Sequence, residues 1–397
     1  MAENRQGKGL FLGEQTFHRK FIISNQTLLA KHLLILGQTG AGKSTSAKQL
    51  VNQLQETNQI NVIFDPTGEY DRDLNNRITY RLAENASIDL SAQSAAELLQ
   101  VLGLNWDSQL TAKLQAAITS LRIQENRRMQ PMAPLVKVNL AVKDYEQLEH
   151  ELIVRNQRYA MQLLPKQLVQ EFVRPFNDER ANYEVLGQEI DHETVSRYWS
   201  QIQELDQLLK SERLNRIFLF SSISSKHTRY DLSFILRTFE ERPSQHRSLI
   251  IDLSELQPYP AIQQRVISFI MDQLLQNRLS SDVRLPVIIF LDEAHRYLPV
   301  DQPINENGLF HILREGRKVS LNLVLSTQSL QDLPQAIRGQ FASLLIHRYQ
   351  SIEDLAGIPL TKRFVKRLPQ LPVGQAVLLT SEGKPYFLKI HQAIVEK

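Results

Sequence analysis

Cysteine is absent from the 397-residue chain. That absence removes disulfides, cysteine-bound zinc, iron–sulfur clusters and thiol nucleophiles together, so the fold rests on its core and its associations. The ten histidines show no metal-ligand spacing of the His-x-x-x-His kind beside a carboxylate, and no metal beyond Mg²⁺ is expected. No apolar run approaches the length of a membrane span, and residues 1–8 lack the apolar core of a secretion signal. A cytoplasmic protein with no membrane partner is therefore expected. Charge of one sign is also scarce: the formal net charge is +3, so any nucleic-acid surface has to be local. Internal repeats and low-complexity tracts are missing. With 42% hydrophobic residues, the composition is that of a globular chain with room for two domains or for one large domain carrying an insertion.

What the chain does contain is a phosphate-binding loop. The apolar run His32-Leu-Leu-Ile-Leu36 reads as a strand leading directly into Gly37-Gln38-Thr39-Gly40-Ala41-Gly42-Lys43-Ser44-Thr45, and a helix follows through Ala47, Leu50, Val51 and Leu54. Glycine at 37, 40 and 42 lets the backbone turn its N–H groups inward as a nest for phosphate oxygens. Lys43 reaches the β and γ phosphates, and Ser44 offers a hydroxyl to Mg²⁺. The helix beginning near Lys43 points its positive dipole end at the same anion. The flanking strand and amphipathic helix separate this pattern from a chance glycine-rich turn, so ATP or GTP is the expected ligand.

A second run, Pro286-Val-Ile-Ile-Phe-Leu-Asp292-Glu293, sets adjacent carboxylates at the carboxyl end of an apolar strand, where open α/β sheets bind ligands. Asp292 is the expected acceptor for Mg²⁺-bound water, and Glu293 the general base that deprotonates the attacking water. The alternative is a strand ending in an acidic helix cap. A third strand, Leu321-Asn-Leu-Val-Leu-Ser326-Thr327-Gln328, ends in polar groups, and Gln328 is placed to sense the γ-phosphate. A glutamate after the acidic aspartate, with such a sensor strand, points to the nucleoside-triphosphatase branch carrying an extra strand between the phosphate-loop and Mg²⁺ strands. Arg317, in Arg314-Glu-Gly-Arg317-Lys318, is the first choice for a guanidinium stabilising γ-phosphate charge within or across a subunit boundary. Its spacing equally fits a surface arginine at a helix end.

Strand-like runs at 33–36, 60–64, 248–253, 287–291, 321–325 and 343–346 alternate with helical periodicity, notably over 261–275, and predict an α/β fold with a mostly parallel sheet. Residues 376–380 and 386–391 flank a Ser381-Glu-Gly-Lys-Pro turn and predict a terminal hairpin. Between the two core segments, 1–104 and 215–397, residues 105–214 are poor in glycine, and their apolar spacing predicts a helical insertion. It is broken near 129–134, with further helices over 145–164 and 194–209.

Taken in order, the phosphate loop, Ile63-Phe-Asp65-Pro-Thr-Gly68-Glu69-Tyr70, the strand 289–291 with Asp292-Glu293-Ala-His295-Arg-Tyr-Leu-Pro299, Glu315-Gly-Arg-Lys and Ser326-Thr-Gln resemble the HerA-like ATPases of the HerA/FtsK superfamily. The likeness covers about residues 9–104 and 215–397, and its most specific part is Asp-Pro-Thr-Gly-Glu-Tyr. It implies a RecA-like P-loop NTPase core with a helical-bundle insertion and a C-terminal brace, assembled as a homo-hexamer around DNA and driven by ATP and Mg²⁺. It carries Lys43, Ser44, Asp292, Glu293, Gln328 and Arg317 into the roles above and places Glu69 near the nucleotide, unless that carboxylate only holds its own turn. About thirty residues precede the loop strand, where the family commonly carries an N-terminal barrel that docks a nuclease. Lys31 stands where the family often has arginine. The resemblance therefore implies a motor acting with a nuclease or a sirtuin-like NAD-degrading effector, as in anti-phage defence. An ATP-switched ring scaffold that activates such an effector is the alternative. Two short basic clusters, Lys226-His-Thr-Arg229-Tyr230 and Lys362-Arg363 with Lys366-Arg367, are either channel-lining or ordinary surface.

Overall fold

The computed structural model describes residues 9–57, 59–127, 133–152, 158–220, 229–242, 248–282, 285–294, 297–298, 307–356 and 358–390. Contacts divide the chain into two compact units, 1–81 with 233–397, and 82–232. The block expected as a helical insertion, 105–214, lies inside the second unit.

The first strands are β1 (Leu10–Glu14), β2 (Lys20–Ile23), β3 (His32–Leu36), β4 (Ile60–Asp65) and β5 (Arg77–Arg81). Four two-residue strands belong to the second unit: β6 (Ala86–Ser87), β7 (Val173–Arg174), β8 (Glu189–Ile190) and β9 (Tyr230–Asp231). The rest are β10 (Ser248–Asp252), β11 (Val287–Leu291), β12 (Leu321–Thr327), β13 (Phe341–Ile346), β14 (Gln375–Leu379) and β15 (Pro385–Lys389).

In the first unit an 11-stranded sheet runs β2-β1-β15-β14-β13-β3-β12-β11-β4-β10-β5. From β13 to β5 every pairing is parallel. Every residue of β3, β4, β10 and β11 is buried, which is why these strands read as unbroken apolar runs rather than alternating ones. β12 lies between β3 and β11, so an additional strand does separate the phosphate-loop strand from the acidic strand. The helix Lys43–Gln55 buries Leu50, Val51 and Leu54 against Leu33, Ile35, Ile63 and Ile250, which fixes the loop ahead of it on the sheet's carboxyl edge.

Beyond β13 the pairing turns antiparallel. The expected terminal hairpin is β14–β15, in register from Gln375↔Lys389 to Leu379↔Pro385; His391 lies outside the described residues. β1 and β2 extend this wing, and neither they nor β5 stand out in the sequence. β5 is half-buried along its length and lacks an apolar run, while β1 is interrupted by a register shift between Phe11 and Gly13.

The second unit is mainly helical. One expectation fails there: instead of a helix over 145–164, helices occupy Val142–His150 and Leu164–Gln170, with non-helical residues at 152 and 158–160 between them. Pro165 sits in the first turn of the latter, the position where a missing N–H costs nothing, and so marks a new start rather than a continuation. The helices His192–Arg197 and Trp199–Lys210 meet at Tyr198. Residues 129–132 of the expected break lie outside the described residues.

Candidate nucleotide-binding site

The loop after β3 is shaped by close backbone approach. A Cβ at Gly37 would stand 2.7 Å from the Cβ of His347, and Gly42, at φ +108°, is the left-handed residue from which the helix starts at Lys43. The Gly37 N–H donates to the Thr327 carbonyl at 3.3 Å and that of Gln38 to Arg348 at 3.0 Å, tying the loop to the ends of β12 and β13. Thr39 and Gly40 are exposed at the rim, Gln38 and Thr45 are half-buried and Ala41 is buried. Beneath the loop lies His347, fully buried. Its Nδ1 is 3.1 Å from the Gln375 carbonyl, so it donates there, and its Nε2 accepts from Ser46 Oγ at 2.9 Å. Burial pushes its pKa down to about 4, and nearby Lys43 acts in the same direction.

Asp292 follows β11 and collects four donors. Ser44 Oγ at 2.7 Å and the Tyr70 hydroxyl at 2.8 Å both donate to Oδ2, whereas Ser326 Oγ and the Glu293 N–H, the latter at 3.0 Å, donate to Oδ1. Glu293 takes φ 51°, in the left-handed region, which turns the chain sharply after the aspartate. Its Oε1 is 3.5 Å from Lys43 Nζ, and its Oε2 accepts from Gln328 Nε2 at 3.2 Å. Lys43 is only 4% exposed; its ammonium also reaches the Gln38 carbonyl at 3.4 Å. The structure thus gathers Lys43, Ser44, Asp292, Glu293 and Gln328, drawn from three adjacent strands, at one edge of the sheet.

This donor set suits Mg²⁺. The ion is held by hard oxygens, with few carboxylates and the remaining positions filled by water and phosphate. Ser44 and Asp292 supply a hydroxyl and a carboxylate oxygen 2.7 Å apart. No group of three or more His, Cys, Asp and Glu suited to a metal occurs among the described residues, so a separate all-protein site is not seen there.

Two expected residues stand elsewhere. Glu69 is exposed; its N–H donates to Asp65 Oδ1 at 3.2 Å and its carbonyl accepts from Lys48 at 3.5 Å, so its backbone, and not its carboxylate, is what the turn uses among the described residues. Asp65 organises that turn, accepting also from the N–H groups of Thr67, Gly68 and Tyr70, and so delivers Tyr70 to Asp292. Tyr70 and Ser326 are the site residues that sequence reasoning passed over, although both stand in the motifs it quoted. Arg317 is exposed and precedes the amino end of β12, and its charge helps depress the pKa of His32 at the start of β3. The seven residues of β12 span roughly 20 Å to Gln328 at its other end, so Arg317 is remote from the phosphate loop of its own chain. Of the basic clusters, Lys226 and its two successors lie outside the described residues, as does His295, while Arg229 donates to the Arg216 carbonyl at 3.0 Å.

The family model for the central domain of helicase HerA matches residues 18–274. The chain belongs to the HerA family. Two curated relatives are a probable DNA double-strand break repair helicase HerA of Methanocaldococcus jannaschii and the HerA of Saccharolobus solfataricus. The first is 23% identical over 91% of this chain and 71% of the relative; the second is 24% identical over 89% of this chain and 63% of the relative. This HerA-family chain thus spans about two thirds of their length. Among solved structures, VirB4 of Thermoanaerobacter pseudethanolicus is similar over 98% of both chains with a TM-score of 0.63 at 15% identity. The plasmid coupling protein TrwB with ADP and Mg²⁺ gives 0.56 at 14% identity over 94% of this chain and 88% of that one. These likenesses place the HerA-family sheet in the RecA-like P-loop class. No described helix is long and apolar enough to cross a membrane.

Proposed function

We propose that the chain hydrolyses ATP and couples hydrolysis to movement along DNA as a homo-hexameric ring, working with a nuclease or NAD-degrading effector. The observation that carries this reading is the joining of Lys43 and Ser44, from the phosphate loop, to Asp292, Glu293 and Gln328 at the ends of β11 and β12. ATP takes the glycine nest; Lys43 turns from Glu293 toward the β and γ phosphates. Ser44 and Asp292 would hold Mg²⁺, which offsets charge on the phosphates. Glu293, released from Lys43 and steadied by Gln328, accepts a proton from the attacking water. Arg317, ahead of the amino end of β12, would serve a neighbouring subunit's site rather than its own, as an arginine finger does; its distance from the phosphate loop of its own chain supports that reading.

The relatives named as DNA repair helicases support DNA as the track. The test is ATP turnover and strand displacement, with and without DNA, on the chain alone and on the chain with its effector. DNA-stimulated turnover with displacement is expected. Turnover that DNA does not change, with no displacement in either setting, contradicts the motor reading and favours the ring scaffold.

A further inference from the structure

The antiparallel wing of the first unit carries aromatic rings and exposed cations that the nucleotide site does not use. At the β1–β2 turn, Phe17 is 96% exposed and sits at φ 63°. His18 beside it is at φ 56°, so the left-handed backbone belongs to the tight connection between β1 and β2, and its effect is to hold the Phe17 ring out in water, where its apolar surface is unfavourable without a partner. Beside it an open depression of about 470 Å³ is lined by Phe17, Arg19, Arg363, Phe364, Tyr386 and Phe387. Phe364 and Phe387 stack with centroids 4.4 Å apart, and the Arg367 guanidinium lies 4.5 Å from the Phe387 centroid.

Positive charge predominates around the depression. Arg19, Lys362, Arg363, Lys366 and Arg367 are all exposed, and none forms an ion pair with a carboxylate among the described residues. The one acidic side chain at the turn, Glu14, is engaged by His18 Nδ1 at 3.0 Å. Rings that can stack, interleaved with uncompensated guanidinium groups, match a polymer that alternates flat apolar faces with negative charge. A duplex hides its base faces, and an acidic peptide does not present flat rings at regular intervals.

We propose that this wing binds single-stranded nucleic acid without sequence preference, with Phe17 stacking on a base and Arg19 and Arg363 holding flanking phosphates. The site needs neither ATP nor hydrolysis, so it stands or falls separately from the motor reading.

Fluorescence anisotropy in nucleotide-free, low-salt buffer tests it on the full chain with an oligothymidylate of about 12 nucleotides, an abasic strand of equal length and a duplex. Phe17→Ala should weaken oligothymidylate binding roughly tenfold and leave the abasic strand unaffected. Arg19→Glu with Arg363→Glu should weaken both single strands roughly tenfold and flatten the salt dependence. Ultraviolet crosslinking of an iodouracil-substituted strand, mapped by mass spectrometry, should place adducts at Phe17 or in the 363–367 segment. Variants that bind like the parent, or adducts found only elsewhere, overturn the proposal. So does a parent protein that ignores oligothymidylate but binds an oligoglutamate peptide, which would assign the wing to an acidic protein partner.

Discussion

The hydroxyl of Tyr70 donates to Asp292 Oδ2 across 2.8 Å, joining residues 222 positions apart in the chain. Burial raises the Tyr70 pKa well above its usual value, and the Asp292 charge raises it further, so the phenol stays a donor at every workable pH. Lys48, 5.1 Å from the ring centroid and paired with Asp73 at 2.6 Å, covers the same ring. Tyr70 thus fixes one carboxylate oxygen while Ser44, now on that oxygen, is free to turn toward a cation.

Tyr70→Phe keeps the ring and deletes the donor. Loss of a partner that orients a metal-binding carboxylate usually costs about 10- to 100-fold in metal affinity. The Mg²⁺ concentration for half-maximal ATP turnover should rise by that order, while ATP binding without Mg²⁺ stays as in the parent. An unchanged Mg²⁺ midpoint would show that Asp292 does not depend on Tyr70.

Arg317 yields a mixing experiment. If it acts only across a subunit boundary, Arg317→Ala and Lys43→Ala chains are each inactive alone. Mixed, some boundaries join an intact loop on one chain to an intact Arg317 on the other, and turnover should reappear at a fraction of the parent rate. No recovery in a mixture shown to co-assemble would remove Arg317 from the site.

Much of this was legible in the sequence for a physical reason. Strands buried on both faces, such as β3 and β11, have to be apolar throughout, and a phosphate nest has to be glycine-rich, so both leave local marks. Asp292 and Ser44 were paired by chemistry before geometry. Tyr70 and Ser326 were missed because their roles depend on contacts across the sheet, and a tyrosine bound for a buried carboxylate looks in sequence like one bound for the core. β1 and β2 were missed because edge strands lean on their neighbours more than on their own pattern. Glu69 drew attention through its charge, although the residue beside it makes the contact.

Stability should be bounded at both ends of the pH scale. His32 and His347 have pKa values pushed down from 6.5 to about 4 by burial, so the unfolded chain binds more protons between those values. Their contribution is complete above about pH 6.5 and is lost as pH falls toward 4, on the order of 3 kcal/mol for each histidine. Glu240 behaves in the opposite sense: burial raises it from 4.5 to about 7, so its contribution is complete below 4.5 and is lost as pH rises through 7. Its Oε2 accepts from Asn277 at 3.0 Å, while its buried Oε1 has no hydrogen-bond partner among the described residues. In denaturant titrations, Glu240→Gln should therefore gain on the parent more at about pH 8.5 than at about pH 5.5. An equal gain at both would show that Glu240 ionises freely.

The most direct measurement is ATP binding and turnover by Glu293→Gln in parallel with the parent. The change keeps the side chain's size and an oxygen that can accept from Gln328, and removes the carboxylate's charge and its capacity to take a proton. Binding should match or exceed the parent, since the carboxylate 3.5 Å from Lys43 is gone, and turnover should fall by about 100-fold or more. Turnover at the parent rate would contradict the assignment of Glu293 as the base and, with it, the chemistry proposed for this edge of the sheet.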